Sequence, residues 1–181
     1  MSGNVPELRF AGFTDPWEQR KLGDILDYER PDAYIVSSED YDDSFPTPVL
    51  TANKGFVLGH TRETNVHDGE CVIFDDFTLD CKFVDFPFMV KSSAVKILTP
   101  KPNVDIHFVF ELLNSTNIEV LGHARHYISV VQPTAVRVPT LSEQQQVGEL
   151  FQRLDSLITL HQRKHDQLVT LKKSLLEKMF V

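Results

Sequence analysis

The last forty residues, 142–181, constrain the fold of this chain more than any other stretch. They contain no proline and one glycine, Gly148. Val147, Leu154, Leu168 and Leu175 recur every seven residues with His161 in the remaining place, and Leu150, Leu157 and Leu171 follow three of these by three residues. Phe151, Ile158 and Met179 widen the stripe. Ser142-Glu-Gln-Gln145 has the form of a capping box, with Ser142 as N-cap. One helix running to Phe180 would be about 58 Å long at 1.5 Å per residue, too long to lie on a domain of this size. A narrow apolar seam on a projecting helix calls for a second helix, so 142–181 is predicted to form a coiled coil.

The remaining residues, 1–141, are predicted to fold as one β-rich body, making the whole an α+β protein. A hydrophobic content of 41% excludes general disorder. No apolar run approaches the roughly 20 residues that span a bilayer, and MSGNVPELRF has no signal-peptide pattern. Cys71 and Cys81 are read as free thiols in a reducing interior, so a soluble cytoplasmic protein is expected. Charge is uneven. Residues 1–141 hold 12 Lys/Arg against 21 Asp/Glu, and 142–181 hold 6 against 5. Such acidity argues against indiscriminate nucleic-acid binding. Seven acids fall between Asp27 and Asp43, however, whereas Phe86 to Val104 carries Lys91, Lys96 and Lys101 with no acid. The polarised field leaves one face able to meet phosphates.

Within the body, Val5 to Phe13 reads as an extended arm. A short strand around Trp17 to Leu22 leads into a helical turn at Gly23-Asp24, and Trp17 is read as a core anchor. Residues 27–48 read as loop with one short strand near Tyr34 to Val36. Pro48 to Ala52 and Phe56 to Leu58 form a hairpin, with His60-Thr-Arg62 at its exit. Glu70 to Phe74, Phe83 to Val90 and Ala94 to Leu98 are strands, the last placing Ala94, Lys96 and Leu98 on one face. Asp105 caps a helix to Ser115 with Ile106, Val109, Phe110 and Leu113 on its stripe. Gly122 to Tyr127 reads as a polar loop, and a strand from Thr134 to Val138 runs into Pro139 and the long helix.

Three groups offer a foothold for catalysis. His161 and His165 stand at i and i+4 on the helix, yet no general base lies between them, so a polar layer in the seam is the better reading. Asp75, Asp76, Asp80 and Asp85 would be the magnesium ligands of a nuclease, but their spacing suits solvated turn acids. His123, Arg125 and His126 lack a nucleophile motif. The polar loops read better as nucleic-acid contacts: Asn53 and Lys54; His60, Thr61 and Arg62; Lys91, Ser92 and Ser93; and His123, Arg125, His126 and Tyr127. Arg and Lys read guanine edges, Asn reads adenine, and Thr methyls meet thymine methyls.

Two stretches carry a resemblance. Val138-Pro-Thr-Leu-Ser-Glu-Gln-Gln-Gln-Val147, with Leu154-Asp155 and the helix to Lys178-Met-Phe180, resembles the conserved region of type I restriction–modification specificity subunits. Val5 to Phe13 with Trp17-Glu-Gln-Arg-Lys-Leu-Gly23 is similar to the segment that opens a target-recognition domain in that family. The resemblance implies a non-catalytic subunit. Residues 1–141 would read one half of a bipartite target in duplex DNA, and 142–181 would set the spacing and dock methyltransferase subunits. S-adenosylmethionine, ATP and magnesium would be used by those partners, with no cofactor in this chain. Family members carry two recognition domains and two long helices, and this sequence has one of each. A homodimer paired antiparallel through Val147, Leu150, Phe151, Leu154, Leu157, Ile158, His161, His165, Leu168, Leu171, Leu175 and Met179 is therefore expected, reading a symmetric interrupted target. A decoy that occupies methyltransferase docking sites without binding DNA is the alternative of a different class.

Overall fold

The computed structural model describes residues 5–51, 55–118 and 126–180. A central antiparallel sheet runs in the order β2 (Leu26–Glu29), β8 (Val95–Pro100), β5 (Cys71–Asp75), β6 (Cys81–Val84). Against one face lies a small sheet of β4 (Val57–Thr61), β3 (Thr47–Leu50) and β7 (Met89–Val90), in which β3 and β7 are parallel. Against the other lie α1 (Leu22–Ile25), α2 (Ile106–Ser115) and the two-stranded ribbon of β1 (Glu18–Lys21) with β9 (Ala135–Val138). α3 (Leu141–Met179) follows β9 directly.

The central sheet is covered on both faces, which explains its near-continuous apolar strands. Val72, Phe74 and Leu98 point into a core with Val109, Phe108 and Tyr127, while Cys71, Ile73 and Ile97 point into a second with Leu50, Val84 and Phe88. All five residues of β5 are buried for this reason. The two cysteines belong to opposite cores, so they do not form a redox pair, and burial pushes both thiols up to about 12.

Several expectations change. The apolar run from Phe83 to Val90 is two strands in different sheets, interrupted around Pro87, which has no amide to donate. Asp27 to Glu29, read as loop, belong with Leu26 to an edge strand paired with β8. β4 continues through Gly59 to Thr61, paired with β3 along its length, and only glycine fits at 59, where a Cβ would meet Tyr41 Cβ at 2.9 Å. Tyr127, read as the end of a polar loop, instead opens a π-helical turn, Tyr127–Val131.

Asp75 and Asp76 are not solvated turn acids; both are buried. Asp75 Oδ1 accepts the amides of Phe77 and Thr78 at 2.8 and 2.9 Å, closing the β5–β6 turn. Asp76 Oδ1 accepts the amides of His126 and Tyr127 at 3.0 and 2.8 Å, and its Oδ2 lies 3.3 Å from Lys96 Nζ. Lys96, on the face shared with Leu98, is kept in the interior by this pair and by donating to Ser93 O.

α3 starts at Leu141 with Thr140 as N-cap, so Ser142 stands inside the helix and makes no capping box. Gln144 locks the junction instead: its Oε1 accepts the Asp105 amide and its Nε2 donates to Pro139 O, both at 2.9 Å. Asp105 in turn caps α2 through the Phe108 amide at 2.8 Å. Gly148 is where α3 crosses this cap, and a Cβ there would sit 2.6 Å from Asp105 Oδ1 and 3.0 Å from His107 Cβ. Alanine would gain about 1 kcal/mol of helix propensity. The overpacking it forces against a satisfied cap costs about 1–3 kcal/mol. Gly148→Ala is therefore expected to lower the urea midpoint; a raised midpoint would show that the two helices separate freely.

Candidate nucleic-acid interface and projecting helix

The motif that enters α3 is also what fixes the arm. Glu143, almost fully buried, receives Arg9 Nε on Oε1 and Arg9 Nη2 on Oε2, each at 2.7 Å, and Trp17 Nε1 at 3.3 Å. Arg9 Nη2 also donates to Asp15 O, and Trp17 packs edge-on to Phe108 at 6.0 Å. The two stretches of the family resemblance thus meet in space. Trp17 is the core anchor its type suggests, whereas Arg9, Glu143 and Gln144 stand in the two motifs with no role legible from sequence beyond their type, a bidentate guanidinium, a carboxylate and an amide.

Among the candidate nucleic-acid contacts, His60, Arg62, Lys91, Ser92 and Ser93 gather around the small sheet. β4 supplies His60, Arg62 follows its end, and Lys91 follows β7, its amide bonded to Leu50 O at 3.1 Å. An acidic segment, residues 37–45, lies across them. Glu39 pairs with Lys91, whose ammonium also sits 5.8 Å from the Tyr41 ring. Asp43 Oδ1 is 3.9 Å from His60 Nδ1, and the Arg62 guanidinium stacks on Phe45 at 4.2 Å. Glu63 anchors the segment by accepting the amides of Ser37 and Ser38, which holds its carboxyl below the usual range. The hydrogen bond from Lys91 likewise lowers the Glu39 carboxyl and raises the Lys91 ammonium.

Three of the candidates require correction. Thr61 is buried, because the strand it was thought to follow in fact includes it. His126 and Tyr127 are buried, drawn inward by Asp76. Their side chains are core, not surface. Asn53, Lys54, His123 and Arg125 lie outside the described residues. Of the four acids weighed as magnesium ligands, three have partners within the fold: Asp75 and Asp76 as above, while Asp80 Oδ2 accepts from Thr78.

Beyond Ser156, the last α3 residue beside α2, the long helix leaves the body. Its seam stands open, with Phe151 38%, Leu154 41%, Leu157 51%, Leu168 56% and Met179 72% exposed. Leu150, Ile158, Leu171 and Leu175 are exposed likewise, and Val147 alone packs partly on the core. His161 and His165 are exposed, the latter 3.3 Å from Asp166. Among the described residues no helix is long and apolar enough to cross a membrane.

This combination of a two-core α+β body and a projecting helix recurs in solved structures. The S subunit of a type I restriction–modification system from M. genitalium matches with a TM-score of 0.63 at 15% identity, over 91% of this chain and 46% of that one. The HsdS subunit from Thermoanaerobacter tengcongensis matches with a TM-score of 0.51 at 13% identity, over 86% and 42%. These likenesses establish the fold. The family described as type I restriction modification DNA specificity domain matches residues 14–170, and the chain belongs to it. It is 39% identical over 126 residues to the Escherichia coli type I restriction enzyme EcoR124I/EcoR124II specificity subunit, covering 65% of this chain and 31% of that protein. It therefore spans about a third of that curated relative.

Proposed function

We propose that this chain reads one half of a bipartite duplex-DNA target, and that α3 both spaces it from a second reader and docks methyltransferase subunits. The observation that carries the proposal is the open apolar seam of α3 on the body of a specificity-family member. A seam of this length left in water promotes association, and an isologous pair of helices covers it most simply. Base readout falls to Arg62, Lys91, His60, Ser92 and Ser93, with Asn53, Lys54, His123 and Arg125 from segments beyond the described residues. Catalysis, with S-adenosylmethionine, ATP and magnesium, falls to partner subunits.

An acidic reader neutralises few phosphates by itself, so its affinity should depend on partners that supply backbone contacts. Fluorescence anisotropy on a target duplex is expected to show tight, sequence-selective binding only when methyltransferase subunits are present. Equal affinity without them would overturn the proposal; stable partner binding with no sequence selectivity would favour the decoy. Arg62→Ala should weaken binding of the target about tenfold and flatten the preference at one position, as loss of a base contact does. A uniform loss across sequences would instead assign Arg62 to phosphate.

A further inference from the structure

Where α3 leaves the body, the arm turns part of its seam into a trough. Leu8 and Phe10 of the arm, Trp17, and Val147, Leu150 and Phe151 of α3 line about 410 Å³ of open volume. Leu8 is 92% exposed although apolar groups flank the space beside it. At the opposite end of the same helix, Leu175 and Leu176 are each 48% exposed, Met179 72% and Phe180 74%. One molecule thus carries an unfilled apolar slot and an uncovered apolar tip.

The register of the seam connects them. Two antiparallel copies of α3 that set Leu157 beside Leu168 also set Leu154 beside Leu171, Leu150 beside Leu175, and His161 beside Lys164. Sliding by one heptad in either direction puts His161 and Lys164 against leucines, and a polar layer inside an apolar seam is what selects one register. In the matched register Leu175 and Met179 of one copy lie level with Leu150 and Gln146 of the other, at the trough. Charge agrees with this orientation. Glu111 and Asp155 share the cleft between α2 and α3, and no Lys or Arg among the described residues forms a salt bridge with either. Burial raises the Glu111 carboxyl, and the Asp155 charge adds to it. The matched register brings Lys172 of the other copy to the same flank, within a turn of Asp155.

We propose that the trough receives the last two turns of α3 from a second copy of this chain, with Lys172 of that copy set against Glu111 and Asp155. This rests on the helix-paired dimer proposed above and adds the arm as part of its interface. The test mixes full-length chains carrying Leu8→Cys with chains carrying Met179→Cys and adds a short bismaleimide; the native thiols are buried. Covalent dimer is expected from the mixture and little from either variant alone. Sedimentation at micromolar concentration separates the two levels. A dimer without the mixed cross-link overturns the trough assignment and leaves the dimer standing, whereas a monomer overturns both. Leu8→Asp should weaken self-association at least tenfold without changing the melting curve of the body, and an unchanged dissociation constant would count against the trough. Asp155→Lys should weaken it as well, and adding Lys172→Glu should restore it; failure of that rescue removes the ion pairing.

Discussion

Asp76→Ala is expected to destabilise the folded chain by about 3–5 kcal/mol, the cost of leaving one member of a buried ion pair alone. Asp76 does two jobs at once. Its Oδ1 holds the amides of His126 and Tyr127, and its Oδ2 neutralises Lys96, which is 3% exposed. Removing it strands a buried ammonium on β8 and frees the turn that carries Tyr127 into the core. For a chain of this length each kcal/mol corresponds to about 2–4 °C in melting temperature, so a drop of about 10 °C is expected. Lys96→Met makes the informative control. It replaces the ammonium by an apolar group of similar length, and Asp76 keeps two amide donors, so its loss should be the smaller. Urea denaturation of both variants checks this; an Asp76→Ala loss equal to that of Lys96→Met would show that the ion pair and the turn are not linked through Asp76.

The second large effect falls on association rather than folding. Replacing Leu154 and Leu157 together by aspartate should leave the body intact, since both side chains are about half exposed in the single chain. In the proposed pair each leucine is buried once per copy, at about 1.5–3 kcal/mol apiece. Four such losses, with four carboxylates brought into the seam, raise the dissociation constant at least a thousandfold. Sedimentation should report a monomer at micromolar concentration, and footprinting with methyltransferase present should lose the symmetric interrupted target. A double variant that stays dimeric would place the interface elsewhere on the molecule.

What was legible in the sequence follows the range of the forces involved. The Asp105 cap, the stripe of α2, the hairpin around Val49 and Val57 and the long helix are set by neighbours a few residues apart, and all are present. β2 carried a readable alternation, Leu26 and Tyr28 inward and Asp27 and Glu29 outward, but the acids and Pro31 made it look like loop. The misplacement of His126 and Tyr127 has a long-range cause. Their surroundings in sequence are polar, and the carboxylate that draws them inside lies fifty residues earlier. The candidate interface shows the same limit. Lys91, His60 and Arg62 were visible as surface cations, but their partners Glu39, Asp43 and Phe45 sit on a segment whose position depends on β4, β7 and Glu63. Likewise the two motifs of the resemblance were legible separately, and only folding shows that Arg9 grips Glu143.

The ribbon of β1 with β9 has a genetic consequence. Glu18 pairs with Val138 and Lys21 with Ala135, so the chain enters and leaves the α+β body through adjacent antiparallel strands about 4.8 Å apart. Everything between those strands is an excursion that returns to its starting point. Recombination that exchanges the excursion needs to preserve that narrow doorway and the α2 cap that Gln144 and Gly148 meet, and the helix beyond would then keep its place.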